Sequence, residues 1–128
     1  MKTGPAIPVF RSFDEAKSRA VYVDYPGFTW DNAHRSGKTA PLYAVLSKGP
    51  LRLHATEHHG GATPGSTVIV DVLDAQAVPD DPRSRGHPNA NLEGLPWGKL
   101  VTVKDPFGNT LRFLGAKVGT ARAIKDPI

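Results

Sequence analysis

The stretch with the most evident capacity for chemistry is His54-Ala55-Thr56-Glu57-His58, two imidazoles flanking a carboxylate in the spacing H-x-x-E-H. That spacing matches the inverted zinc-protease signature, which needs a helix so that residues four apart share a face with the acid alongside. Here the run Leu51-Arg52-Leu53-His54-Ala55-Thr56 alternates like a strand and then meets Gly60-Gly61, so a helix does not fit. On a strand His54 and His58 share a face while Glu57 points away. The match is a false positive that leaves His58 and His59 as an adventitious metal-binding pair. The chain has no cysteine, which excludes thiol catalysis, thiolate metal sites and disulfides. It has neither a G-x-S-x-G elbow nor a phosphate loop, and the adjacent acids Asp14-Glu15 and Asp80-Asp81 read as solvated surface. Trp97, between Pro96 and Gly98, is either core or a platform for stacking.

The elements that must position these groups are led by a hairpin. Polar and apolar residues alternate from Lys99 to Lys104 and nearly do so from Thr110 to Leu114, with Asp105-Pro106-Phe107-Gly108-Asn109 between them. Asp105 can accept backbone hydrogen bonds, Pro106 presets φ, and Gly108 takes the positive φ that a side chain resists. Upstream, residues 6–10 form a short apolar strand interrupted by Pro8, which argues for an edge position or for pairing with another chain. Ser12 offers an N-cap and Glu15 completes a capping box, before a stripe of Phe13, Ala16, Ala20, Val21 and Val23. The helix stops near Tyr25, at Pro26-Gly27, with Tyr22 and Tyr25 packing at its end.

A strand over 28–31, a polar loop over 35–40 and a hairpin of strands 42–47 and 51–56 complete the first unit. A second copy follows, with a β-branched strand over 67–73 and a helix region over 74–83 that carries Pro79 and Pro82 and supports at most one turn. The opening hairpin closes it. Two βαβββ units of about 55 residues account for nearly the whole chain, a repeat that indicates paired modules. The expected architecture is α+β: one domain over 1–128, with module one over 5–60, module two over 61–115 and a tail over 116–128. The tail has short-helical character around 121–124. The segment 74–94 is the least patterned.

Sixteen lysines and arginines against twelve acids give a net charge of +4 and a pI near 9.6. The basic residues are dispersed, the densest group being Arg83-Ser84-Arg85, rather than gathered on one face as a nucleic-acid footprint requires. No run approaches the roughly 20 apolar residues that span a bilayer. The expectation is a cytoplasmic protein with neither a nucleic-acid nor a membrane partner.

This element order stands together with Ala6-Ile7-Pro8-Val9-Phe10, Ala20-Val21-Tyr22-Val23-Asp24-Tyr25-Pro26-Gly27-Phe28, Leu53-His54-Ala55-Thr56-Glu57-His58-His59-Gly60, Pro96-Trp97-Gly98 and the turn 105–109. As a set these resemble the glyoxalase/bleomycin-resistance superfamily, the vicinal-oxygen-chelate proteins, and are most like its bleomycin-resistance branch. The resemblance implies paired βαβββ modules curling into a cupped mixed sheet, with the second helix short or missing here. It also implies a homodimer with ligand sites at the junction of two chains. Exchange of the N-terminal strand between partners suits a proline at position 8.

Superfamily enzymes generally hold a divalent ion with four side chains, and the matching positions fall on Ile7, His54, Thr67 and Arg112. One possible ligand does not make a zinc site, which wants at least three from the protein, and Arg112 would repel the ion. No metal or other cofactor is therefore expected. In the resistance branch a tryptophan matching Trp97 and an aromatic residue matching Tyr43 face the flat rings of the bound drug. The candidate ligand-binding residues are Trp97, Tyr43, His54, Trp30 and Arg112, with Trp30 open to a core or dimer-interface role and no catalytic residue assigned.

The implied function is a binding protein that confers resistance by sequestering a bleomycin-like or other planar antibiotic, more generally a small planar or amphipathic molecule. One observation cuts against bleomycin itself, since a cationic drug calls for an acidic cup, whereas this chain is basic and puts Arg112 at a cup position. The alternatives are a superfamily enzyme (lyase, isomerase or dioxygenase-like) with a non-standard site, in which His54 serves as base, and a structural or regulatory interaction module.

Overall fold

In the computed structural model the described residues are 1–24, 26–77 and 90–116, with the side chains of 90, 91 and 116 outside the description. Tyr25, most of the proline-rich 74–94 segment and nearly all of the tail, including 121–124, therefore lie outside it. The order is β1 (Val9–Arg11), α1 (Glu15–Tyr22), β2 (Thr29–Arg35), β3 (Leu42–Lys48), β4 (Leu51–Thr56), β5 (Thr67–Val72), β6 (Ala90–Leu95), β7 (Gly98–Lys104) and β8 (Thr110–Ala116). The strands make two four-stranded mixed sheets, β1-β4-β3-β2 and β5-β8-β7-β6. In each, the first strand runs parallel to the last and the rest of the sheet is antiparallel. The α+β architecture and the repeat read from the sequence are both present.

Alternation along the strands gives each sheet two faces. Phe10, Leu46, Leu53, Val101, Val103, Leu111 and Phe113, each no more than 1% exposed, belong to a single core that also takes Val21 and Tyr22 from α1. Both sheets thus bury one face in the core that α1 also enters. Their opposite faces carry Tyr43, Val45 and His54 on the first sheet and Leu100, Arg112 and Leu114 on the second.

Several boundaries differ from the sequence expectation. Strand β1 starts at Val9, beyond Pro8, although Pro8 still accepts a hydrogen bond from His54 N–H at 3.0 Å. The N-cap of α1 is Asp14, whose Oδ1 accepts from Lys17 N–H at 2.9 Å. Ser12 is drawn away from capping because its hydroxyl lies 2.6 Å from that of Ser18, both buried. Glu15 makes no capping box. It pairs with Arg19 and Arg35 instead. The buried stripe is Ser18, Val21 and Tyr22, while Phe13 is 56% exposed and leans on Phe107.

Strand β2 runs through the stretch expected to begin a loop, to Arg35. Arg35 bonds the Ala40 carbonyl at 2.6 Å and pairs with Glu57 at 3.2 Å, and Glu57 also accepts from Leu42 N–H at 2.9 Å. Strand β6 has no counterpart in the sequence reading. It pairs with β7 across the two-residue turn Pro96-Trp97.

The two modules are tied together at the turn 105–109. Asp105 accepts from Phe107 N–H and Asn109 N–H through Oδ1, and from the Tyr22 hydroxyl (2.5 Å) and Asn109 Nδ2 through Oδ2. Asn109 Nδ2 also donates to the Arg11 carbonyl at 2.7 Å, and its Oδ1 accepts from Ser66 N–H at 3.3 Å. Gly108 sits at φ 88°, as the turn requires. Burial pushes ionisation of the Tyr22 phenol far above its ordinary range, and the charge and hydrogen bond of Asp105 push the same way.

Because the native state holds this proton more tightly than the unfolded chain, the stabilisation is complete below about pH 10 and is lost as pH rises beyond it. Tyr22→Phe is expected to cost about 1.5–3 kcal/mol near neutrality, the range for a hydrogen bond to a charged group. Above pH 10 the wild type should lose about 1.4 kcal/mol more per pH unit than the variant. Urea unfolding from pH 7 to 11 checks both, and parallel pH profiles would show that the phenol is not locked as described.

Candidate functional site

Two tight connections decide where the candidate side chains point. The Gly49-Pro50 connection pairs Lys48 with Leu51, which puts Val45 opposite His54 and Tyr43 opposite Thr56. Tyr43 and His54 therefore lie diagonally across two strands on the outward face. Tyr43 Oη is 2.7 Å from His54 Nδ1, and the rings meet edge to face with centroids 5.3 Å apart. His58, just past the end of β4, adds a third ring 6.4 Å from Tyr43, its Nδ1 held 2.9 Å from Thr56 Oγ1. The H-x-x-E-H residues thus sit on a strand and the turn after it, with Glu57 committed to Leu42 and Arg35. On the same face, Asp31, Val45, Ser47, Gly49 and Arg52 line a cleft of about 320 Å³.

The second sheet carries a different arrangement. Trp97, in the β6–β7 turn, packs with Leu95 against Leu100 and Leu114, a cluster separate from the main core and on the opposite face of the sheet. Arg112 occupies the next rung of that face, opposite Thr102 and Ile69. It is half-buried, and its Nε is shielded from solvent with no acceptor.

Trp30 does not join either group. It pairs with Leu46 across the sheet, packs against the main core and lies beneath the Arg19 guanidinium at 4.2 Å. A shift of pairing between Trp30 and Asn32 puts Asn32 and His34, not Trp30, on the rungs of Val45 and Tyr43. Of the five candidates, the structure brings together Tyr43 with His54, and Trp97 with the sheet face of Arg112. Among the described residues no hydrogen bond or ring contact joins one pair to the other.

Of the positions matched to superfamily metal ligands, Ile7 lies in the exposed arm before β1, His54 is engaged by Tyr43, and Thr67 and Arg112 belong to the second sheet. Among the described residues no group of three or more His, Cys, Asp or Glu side chains is placed to hold a metal ion. Sequence reasoning missed Thr56 and His58 as supports of the Tyr43 face. The signal was the two-residue Gly49-Pro50 connection, which fixes the pairing of every residue on β3 and β4.

Two mixed sheets of identical connectivity, each with its first and last strands parallel, define a paired-module α+β protein. The family model described as "Glyoxalase superfamily protein" matches residues 2–120, and the chain belongs to that family. A comparison with curated proteins finds no match. Among solved structures, the chain is similar to TnmS3, an antibiotic binding protein from Streptomyces sp. CB03234, with TM-score 0.67, 20% identity and coverage of 91% of this chain and 98% of that one. It is similar to a bleomycin resistance determinant encoded on the transposon Tn5, with TM-score 0.66, 23% identity and coverage of 91% and 100%. A third is the bleomycin-binding protein of bleomycin-producing Streptomyces verticillus, complexed with copper(II)-bleomycin, with TM-score 0.60, 23% identity and coverage of 91% and 99%. At these identities the likeness establishes the fold.

Tyr43→Phe is expected to lower stability by about 1 kcal/mol or less, since His54 is half-exposed and water can replace the phenol. It should nonetheless change the tautomer balance of the His54 ring and leave that of His58 unaltered. Nitrogen-15 spectra of the imidazoles read this directly, and an unchanged His54 would mean that the 2.7 Å contact is not held in solution.

Proposed function

We propose that the protein is a metal-free binding protein that captures a small planar or amphipathic molecule and confers resistance by sequestering it, a bleomycin-like or other planar antibiotic being the leading class. The observation that carries this reading is Trp97, a half-buried indole mounted on the aliphatic pair Leu100 and Leu114 outside the main core. A large rigid π-face binds a planar heterocycle with little loss of side-chain entropy. Proteins of the same fold bind bleomycin or another antibiotic according to their names, which supports the class without naming the ligand. Sequestration needs affinity and stoichiometric protein, and no catalytic residue.

The reading includes a homodimer with the ligand at the junction of two chains. Its support is that the Tyr43–His54 pair and Trp97 with Arg112 sit on different sheets with no contact between them among the described residues, an arrangement in which a second copy could bring one group against the other. Ile7 and Ile69 are exposed beside an apolar groove of about 460 Å³ between the N-terminal arm and β5, a surface suited to a partner or to exchange of the first strand. In the single chain β1 pairs with its own β4. Among the described residues no helix is long and apolar enough to cross a membrane, and we place the protein in the cytoplasm.

The Tyr43–His54 contact favours a second reading, an enzyme of the superfamily in which the imidazole moves a proton and the phenol orients it. The two readings part on the fate of the ligand. Bleomycin and a panel of planar aromatics are titrated by calorimetry and by tryptophan fluorescence, and the bound molecule is recovered and analysed by mass. Capture predicts saturable binding, unchanged recovered ligand, a dimer by light scattering and an affinity reduced about tenfold or more in Trp97→Ala. Absence of binding by the whole panel overturns the capture reading, and a chemically altered ligand transfers the case to the enzyme.

A further inference from the structure

The three half-buried arginines of the described chain are treated differently by their surroundings. Arg35 pairs with Glu15 and Glu57. Arg11, whose Nε is also buried without an acceptor, lies over the Phe13 ring at 4.5 Å. Arg112 has neither kind of compensation, since among the described residues no carboxylate, carbonyl or ring partners its guanidinium and its Nε is sealed from solvent. A buried donor left unpaired is unfavourable, and the terminal nitrogens of a guanidinium form a planar fork that matches a carboxylate.

The neighbours of Arg112 say what such a carboxylate would be attached to. Its own rung holds Thr102 and Ile69, with no acid. One rung along the same face lie Leu100 and Leu114, on which Leu95 and Trp97 pack. Asp71 and Glu93 flank that apolar rung, opposite Leu114 and Leu100 respectively. The half-buried ring of Trp97, seated on the buried pair Leu100 and Leu114, therefore stands one rung from a cation that has no partner among the described residues, with the acids to either side of the apolar rung.

We propose that the molecule captured on this face carries an anionic group of the carboxylate type, which Arg112 takes as a forked pair while the planar part lies against Trp97. The proposal rests on the capture reading and narrows it, making Arg112 the residue that selects acids over amides and amines. Charge-assisted forked pairs are stronger than their neutral counterparts, so the preference should be measurable with simple probes.

The test uses the full chain and three probes of one shape: anthraquinone-2-carboxylate, anthraquinone-2-carboxamide and 2-(aminomethyl)anthraquinone, titrated by calorimetry. The expected result is an acid bound about tenfold more tightly than the amide, with the advantage shrinking as salt is raised. Arg112→Gln should abolish that advantage, with circular dichroism and a cooperative thermal melt reporting that the variant is folded, and Arg112→Lys should restore part of it. Equal binding of acid and amide, or preference for the amine, overturns this proposal and leaves capture standing. Failure of all three probes to bind also overturns this proposal, while capture stands or falls on bleomycin and the wider panel. The order of the three probes on the wild type decides the matter even if a variant does not fold.

Discussion

The carboxylate of Asp105 is the point on which the two halves of this protein depend. It is 8% exposed and accepts four hydrogen bonds, two from backbone amides of its own turn and one each from Tyr22 and the side chain of Asn109. A buried carboxylate without such partners would be strongly disfavoured, so this arrangement tolerates few alternatives. Through Tyr22 it fixes the end of α1. Through Asn109, which is fully buried, it fixes β1 at the Arg11 carbonyl and the start of β5 at Ser66. The β7–β8 hairpin, the first-module helix and the leading strand of each sheet are thereby held by one polar cluster, and the apolar core forms around it. Both outward faces inherit their position from that cluster.

The turn itself was legible because Asp, Pro, Gly and Asn each have a local reason to stand where they do, and local reasons survive in sequence. The same holds for the alternation on β3, β4, β7 and β8, and for the absence of helix at His54. The partners of the turn were not legible. Nothing near Tyr22 announces a carboxylate 83 positions away, and packing at the helix end was as much as the pattern could indicate. The misplaced N-cap has a similar origin. Ser12 and Asp14 both stand before the helix with oxygen to offer, and a buried side-chain hydrogen bond from Ser12 to Ser18, six residues on, decides between them. Strand β6 escaped because Asn91, Glu93 and Gly94 carry little strand propensity, and its place comes from pairing with β7.

The candidate site divides in the same way. His54 and Tyr43 meet because a two-residue connection sets their register, a relation that could be worked out from the sequence once the loop length is fixed. Trp30 takes the core side that the sequence left open for it, because the pairing shifts after it and a one-residue shift reverses the face a side chain occupies. Trp97 is as the hairpin reading had it in one respect, a ring at a strand connection, but its connection is to β6 and its support is the outward pair Leu100 and Leu114, which the alternation of β7 and β8 already set apart from Val101 and Phe113.

The repeat gives these differences a common frame. In both sheets the first strand runs parallel to the last, with Val9 opposite His54 in one and Ile69 opposite Arg112 in the other. The next outward pair is Tyr43 with Thr56 in the first and Leu100 with Leu114 in the second. One scaffold position thus carries imidazole beside a phenol on one sheet, and guanidinium beside aliphatic side chains on the other. The first combination is internally satisfied, each ring being the other's hydrogen-bond partner. The second leaves its charged member without a partner among the described residues. Backbone symmetry with side-chain asymmetry means that the two faces make unequal demands on whatever lies against them. A ligand or partner chain that met both would satisfy the second sheet by charge and the first by shape.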